Sequence, residues 1–346
     1  MKNMSHPNNT LLLGIDLGTS RTMMMSSRGT KAVTHSVVGY PKDIIGVKLM
    51  GRSHVIGEEA LQRQSYLDLH YPLEDGVLKE ANDQAAEAAK LLIKNMINEA
   101  NPQPGDRICG VVGVPARASL FNKNQLLKIT GELMSLSMVV SEPFMVAYQI
   151  GKLNNAIIID IGAGTTDICA MKGIIPGMEE QVTVLKAGNY IDFVLKNLII
   201  DKYPNVQFTK HLARKIKEDY AFVGEAEEVI ELELRIDGKP VKSDITEELR
   251  VACETIVAEI VEHLQTLIMV FDPEDQSEAL KNIYLTGGGA AIKGIEEMIM
   301  NQMKEYGEVL VQCVADPDYS GSAGALKLAS ELPPEYWEQV GQVTGS

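Results

Sequence analysis

A run of aliphatic residues, Ala156-Ile157-Ile158-Ile159, ends in Asp160. A polar segment follows, Gly162-Ala163-Gly164-Thr165-Thr166, and a second apolar run restarts after Asp167. β-Branched runs on either side of a Gly/Thr interruption predict a strand, a tight turn and a returning strand. The same pattern stands near the start of the chain. Leu11, Leu12, Leu13 and Ile15 lead to Asp16, Gly18-Thr19-Ser20-Arg21-Thr22 interrupts, and three methionines, Met23 to Met25, resume it. Asp16 answers Asp160, Gly18 answers Gly162, and Thr19/Ser20 answer Thr165/Thr166. An ordinary turn explains either hairpin alone. The matched pair predicts an internal duplication, with a carboxylate near the end of the first strand in each half.

Between and beyond these hairpins, strand and helix patterns alternate. Residues 31–38 read as a third strand, 57–61 as a short helix start, and 71–76 as a turn punctuated by Pro72 and Gly76. A helix from Asn82 carries Ala86, Ala89, Leu92 and Met96 on one side. A strand at 108–114, a helix over 118–134 and a strand at 138–140 follow, and the alternation favours an α/β fold. After the second hairpin come a strand at 181–186, a helix opening at 187–189, a charged helix over 211–220, and an acid-rich hairpin turning at Asp237-Gly238. One long helix is expected from Thr246 to Phe271. A strand at 282–286 then runs into Gly287-Gly288-Gly289.

At 346 residues the chain is long enough for two lobes. Its net charge of -15 argues against non-specific binding to nucleic acid or to an anionic membrane. No segment is apolar enough for a signal or a membrane span, so no direct membrane insertion and a cytoplasmic location are expected. Cys109, Cys169, Cys253 and Cys313 form no C-x-x-C pair and are expected as buried free thiols.

The chemistry suggested by the hairpins is anion binding. Gly162 and Gly164 are expected to take positive φ, so that consecutive N–H groups can point at one phosphate. Ser141-Glu142-Pro143 reads as a helix start: Ser141 caps, Pro143 fits the first turn, and Glu142 complements the positive helix end. Glu142 also stands at a strand-to-helix turn just before the second hairpin. The triple glycine lets a flat ligand or a phosphate approach the backbone. Lys217 and Glu218 read on their own as solvated surface charges.

Two Asp-x-Gly hairpins, a Glu-Pro between them, a Lys-Glu helix and a Thr-Gly-Gly-Gly strand end, in this order, resemble the actin, Hsp70 and sugar-kinase ATPase superfamily. Residues 15–19, 71–76 and 216–224 resemble actin-type segments. Residues 37–43, 113–118, 141–146, 160–170 and 331–337 are similar to the magnetosome-associated actin-like filament proteins. The resemblance implies an α/β actin-like ATPase fold: two lobes of duplicated ribonuclease-H-like core with a smaller insertion in each, four subdomains in all. Lobe I would be 1–155 plus about 317–346, with an insertion at about 36–78. Lobe II would be 156–316, with an insertion at about 187–250.

It also implies a site for ATP or ADP with Mg²⁺ in the cleft between the lobes. Gly18, Thr19, Ser20 and Arg21 would hold phosphates from lobe I, and Gly162, Ala163, Gly164 and Thr165 from lobe II. Arg21 stands where actin uses a lysine slightly later in the loop. Lys217 and Glu218 would contact ribose or base, and Gly287, Gly288, Gly289 and Ala290 would pass beneath the adenosine. Asp16 and Asp160 would organise hydrated Mg²⁺, and Glu142 would orient or deprotonate the attacking water, with Asp160 supporting hydrolysis.

The implied function is an ATP-hydrolysing filament protein that polymerises with itself and organises magnetosome chains through vesicle-associated adaptor proteins. Cell-shape or cargo-segregating actins are the alternatives, and the N-terminus lacks the apolar membrane-binding element usual in the cell-shape type. A sugar kinase would share the hairpins without polymerising. An Hsp70-type chaperone would need a further substrate-binding region.

Overall fold

The computed structural model describes residues 9–79, 83–333 and 336–337. The polar opening segment, Asn82, and Pro334 and Glu335 of the tail motif lie outside them. The chain divides into two units, Met1–Lys152 with Asp318–Ser346, and Leu153–Pro317.

The first unit is built on a five-stranded sheet. Its first three strands, β1 (Thr10–Leu17), β2 (Arg21–Ser26) and β3 (Lys31–His35), form an antiparallel meander. A small sheet follows, made of β4 (Val38–Pro41), β5 (Val55–Ile56) and β6 (Leu67–His70), with helices α1 (Ile44–Met50) and α2 (Glu58–Gln62). Next comes the short hairpin β7 (Leu73–Glu74) and β8 (Val77–Leu78). Helix α3 (Asp83–Glu99) returns the chain to β9 (Arg107–Val114), which pairs parallel with β1. Helix α4 (Leu120–Gly131) leads to β10 (Leu136–Ser141), parallel to β9, and α5 (Glu142–Ile150) closes the run. The C-terminal helix α12 (Ser320–Glu331) returns to this unit.

The period of two along β1 decides what each of its faces meets. Leu11, Leu13, Ile15 and Leu17 join Ala89, Ile93 and Met96 of α3 in one core. Leu12 faces the other way, into a cluster with Met145 of α5, Ala325 and Ala329 of α12, and Trp337. Gly14 and Asp16 share that second face. A Cβ at Gly14 would lie 2.1 Å from the Ser322 carbonyl oxygen, and one at Gly321 would lie 2.6 Å from Asp16 Oδ2. Helix α12 therefore rests on β1 backbone to backbone, with the Asp16 carboxylate against its first turn.

The second unit repeats the arrangement. Strands β11 (Asn154–Ile161), β12 (Thr166–Lys172) and β13 (Gln181–Val184) form an antiparallel meander. Helices α6 (Gly188–Lys202) and α7 (Lys210–Tyr220), the hairpin β14 (Glu231–Ile236) and β15 (Lys239–Asp244), and helices α8 (Thr246–Glu254), α9 (Val257–Leu267) and α10 (Pro273–Leu280) follow. Strand β16 (Ile283–Thr286) then pairs parallel with β11. Helix α11 (Ile295–Met303) and β17 (Val311–Cys313), parallel to β16, complete the sheet. The strand orders β10-β9-β1-β2-β3 and β13-β12-β11-β16-β17 are one topology seen from opposite edges. The duplication read from the two hairpins extends to whole sheets, and the fold is actin-like α/β.

Three expectations change. The long helix 246–271 is broken between α8 and α9, where the Thr255 hydroxyl donates to the Ala252 carbonyl at 2.6 Å. Such back-bonding by threonine competes with the helix ladder and bends it. Ser141 occupies the N-cap of α5 without a side-chain capping bond. Cys109, Cys169 and Cys253 are buried, but Cys313, on the last strand of its sheet, is exposed. Among the described residues no helix is long and apolar enough to cross a membrane.

Candidate functional site

In the second unit the polar turn after β11 is closed by the Gly162 N–H donating to the Thr165 carbonyl at 2.9 Å. Two further bonds fix its orientation. At the start of α6, the Gly188 N–H donates to the Gly162 carbonyl at 3.0 Å and the Asn189 N–H to the Ala163 carbonyl at 2.7 Å. All peptide bonds here are trans, so each carbonyl is antiparallel to the N–H of its own peptide plane. With the two carbonyls turned toward α6, the amides of Ala163 and Gly164 point the opposite way, side by side. That is a two-donor anion nest.

The nest does not need left-handed glycines. Neither Gly162 nor Gly164 has positive φ, which corrects the expectation from sequence. Gly162 is small for another reason: a Cβ there would lie 3.1 Å from the Thr165 carbonyl oxygen that closes the turn.

The structure brings Asp160 and the triple glycine together. Asp160 stands opposite Thr286 in the parallel β11–β16 register, and opposite Asp167 across the hairpin. Gly287 has φ 76°, and a Cβ on it would lie 2.4 Å from Asp160 Oδ1 and 2.6 Å from the Ile161 carbonyl oxygen. Gly289 abuts the Ile161 side chain, Gly288 is exposed, and Ala290 is buried in the short turn after them. Glycine at 287 and 289 lets this turn pack directly against Asp160 and Ile161.

Lys217 lies on α7 with its ammonium engaged inside the unit. It is 2.7 Å from Asp192 Oδ1 and donates to the Gly188 carbonyl at 2.9 Å. Glu218, the next residue, is exposed.

Sequence reasoning passed over two residues here. Asp167 is buried and accepts a hydrogen bond from the Thr183 hydroxyl at 2.5 Å. Asp192 is fully buried on α6 among Ile191, Leu195 and Ile199. An acid set into an apolar helical stripe is the signal that marks it.

In the first unit, Gly18, Thr19 and Ser20 turn β1 into β2. A Cβ at Gly18 would meet the Arg21 carbonyl oxygen at 2.6 Å. Ser36 holds this loop from behind: its hydroxyl donates to the Gly18 carbonyl at 2.6 Å and its N–H to the Ser20 carbonyl at 2.9 Å. The Thr19 and Arg21 amides consequently face away from Ser36. The Thr19 hydroxyl accepts from the Gly76 N–H at 2.8 Å, which ties the β7–β8 turn to the loop. The Arg21 guanidinium pairs with Asp318 at 3.0 Å, both side chains being well exposed.

Burial pushes the Asp16 carboxyl up to about 6. A cation placed beside it would lower that value again. Glu142 is the first residue of α5, and its Cγ lies 3.1 Å from where a Gly113 Cβ would stand. Gly113 thus gives the Glu142 side chain its space.

No group of three or more His, Cys, Asp or Glu that could hold a metal occurs among the described residues. A carboxylate beside a glycine, as at Asp16 in the first unit and separately at Asp160 in the second, is the kind of group that a Mg²⁺ ion keeping much of its water shell would use.

Comparison with known proteins adds relatives to this geometry. Residues 10–333 match the family model for MreB/Mbl protein. The actin-like protein MamK of Paramagnetospirillum magneticum is 52% identical over 338 residues, covering 98% of this chain and 97% of that protein. A MamK double helical filament has a structure similar to this one, with a TM-score of 0.92 at 51% identity, covering 94% of this chain and all of that one. A non-polymerising MamK mutant bound to AMPPNP has a TM-score of 0.76 at 50% identity over the same shares.

Proposed function

The chain belongs to the MreB/Mbl family, and we propose that it is an ATP-binding, ATP-hydrolysing protein of the MamK type that polymerises into actin-like filaments. The observation that carries the nucleotide reading is the pair of amides at Ala163 and Gly164, turned outward because the carbonyls of their peptide planes are bonded to α6. In this reading Gly162, Ala163, Gly164 and Thr165 bind phosphate oxygens, as do Gly18, Thr19, Ser20 and Arg21 of the other hairpin. Gly287, Gly288, Gly289 and Ala290 pass along the nucleoside. Asp16 and Asp160 are the carboxylates that take Mg²⁺ through water, and the metal supplies charge neutralisation of the phosphates when bound.

Glu142 is the group that orients or deprotonates the attacking water in hydrolysis. It stands at the first turn of α5, directly after β10. Polymerisation is proposed from the filament relatives. Filaments running in the cytoplasm beside magnetosome vesicles, held by vesicle-associated adaptors, are proposed from the MamK relatives.

The test is sedimentation and negative-stain electron microscopy of the purified protein with ATP and Mg²⁺, with phosphate release followed in parallel. Pelleted filaments and released phosphate are expected. A protein that binds ATP but neither pellets nor forms filaments at any concentration would exclude the polymer, and pelleting without phosphate release would exclude the ATPase.

A further inference from the structure

We infer that Asp192, with Lys217 and Arg214 as its two cationic partners, is a positioning residue for the phosphate nest at Gly162–Gly164; the inference rests on the nucleotide-binding reading above. The chain of contacts lies wholly within the second unit. Asp192 is a carboxylate with no solvent exposure, one turn into α6. Lys217 approaches its Oδ1 at 2.7 Å, and Arg214 Nε approaches its Oδ2 at 3.4 Å. Both cations come from α7, three residues apart and so on one face of that helix.

Each cation makes a second bond, and both of these go to the first turn of α6. Lys217 donates to the Gly188 carbonyl at 2.9 Å, and Arg214 Nη2 to the Asn189 side-chain oxygen at 2.8 Å. Gly188 and Asn189 are the two residues whose N–H groups hold the carbonyls of Gly162 and Ala163. The cluster therefore grips the far side of the same two residues that aim the nest. Gly188 also has no room to move, since a Cβ on it would lie 3.1 Å from Lys217 Nζ and 3.2 Å from the Gly162 carbonyl oxygen.

A buried carboxylate facing two cations is costly to build and, once built, costly to break from one side only. If its purpose were packing alone, an apolar residue would continue the stripe of Ile191, Leu195 and Ile199. What the charges add is direction. They fix the rotation of the first turn of α6, and through it the planes of two peptides in the nest. On this account Lys217 acts on the phosphate subsite from behind, through Gly188.

The experiment compares full-length wild type, Asp192→Asn and Arg214→Gln at a protein concentration below that at which filaments pellet. Affinities are measured for AMPPNP–Mg²⁺, ADP–Mg²⁺ and adenosine, the last by competition with a labelled nucleotide. Asp192→Asn keeps the shape and removes the charge. It should weaken AMPPNP and ADP by roughly tenfold or more while leaving adenosine unchanged. Arg214→Gln, at a partly exposed position, should fold without difficulty and shift the same two ligands in the same direction by less. If Asp192→Asn fails to fold, Arg214→Gln carries the test.

The inference is overturned if adenosine weakens in step with AMPPNP, which would make the cluster a nucleoside contact or a general prop. It is also overturned if both variants bind every ligand as wild type does. Wild type that binds no nucleotide would instead refute the proposed function itself.

Discussion

Replacing one glycine by alanine in two helices of the first unit should move stability in opposite directions. At Gly324 on α12 an added Cβ would stand 1.8 Å from the Met145 carbonyl oxygen and 2.5 Å from its carbonyl carbon, where ordinary contact begins at 3.4 Å. Both partners are backbone, so no side chain can swing aside. Helices α12 and α5 must part by roughly 1.5 Å, and overpacking of this kind costs about 3 kcal/mol. At Gly131, the last residue of α4, nothing lies within 4 Å of the added Cβ and φ is not positive. There alanine restricts the unfolded chain without a clash and should add about 0.5–1 kcal/mol. Urea unfolding of the nucleotide-free protein reads both effects as midpoint shifts at constant slope. Phosphate release adds a second reading: α5 begins with Glu142, so Gly324→Ala should slow hydrolysis while Gly131→Ala leaves it alone. A Gly324→Ala midpoint within about 0.5 kcal/mol of wild type would refute the backbone contact.

Glu142→Ala should still bind ATP and pellet, but should release phosphate on the order of 10² to 10⁴ more slowly; release at the wild-type rate would reduce Glu142 to a helix-end acid. With a net charge of -15 per subunit, polymers should form more readily as KCl rises, since the Debye length falls from roughly 30 Å at 0.01 M to about 8 Å at 0.15 M. Pelleting that declines steadily over that range would mean interface ion pairs outweigh net repulsion. Acid should act through Asp16, whose carboxyl is pushed up by burial to about 6 from its ordinary value of 3.8. The folded state binds its proton more readily than the unfolded chain, so the Asp16 contribution to metal-free stability is full below pH 4 and is lost as pH rises through 6. The same protonation removes the anion that takes Mg²⁺, so Mg²⁺-dependent ATP affinity should fall more steeply below pH 6 in wild type than in Asp16→Asn, where only the phosphates of ATP still titrate, as titration calorimetry at pH 5, 6 and 7 can show.

The sheets were legible because their central strands are buried on both faces and announce themselves as unbroken aliphatic runs. Asp16 and Asp160 were legible as the charges near the ends of those runs. Other features depend on contacts that local pattern does not encode. The engagement of Lys217 needs Asp192, which stands on a different helix and reads as one more surface acid unless its place in the apolar stripe is noticed. The break at Thr255 comes from a hydroxyl bonding backward within an otherwise uniform helical period. Exposure of Cys313 follows from its place on the last strand of its sheet. At Gly162 the constraint is space rather than left-handed φ, because a Cβ there would crowd the Thr165 carbonyl oxygen that closes the turn.

The two duplicated turns also differ in how they are held, and the difference bears on what the duplication preserves. In the second unit, backbone amides at the start of α6 bond the carbonyls of Gly162 and Ala163. In the first, the carbonyls of Gly18 and Ser20 are bonded by the hydroxyl and amide of one residue, Ser36, whose hydroxyl also shares a hydrogen bond with Thr22 at 2.9 Å. A helix end and a buried serine have nothing in common except that each turns loop carbonyls one way and therefore loop amides the other. Constraints on packing alone would have kept the partners alike, since similar sheets offer similar neighbours. The outward-turned amide after the first glycine, Thr19 in one turn and Ala163 in the other, is common to both while the holding groups vary, and it is a group that an anion in front of the loop can use.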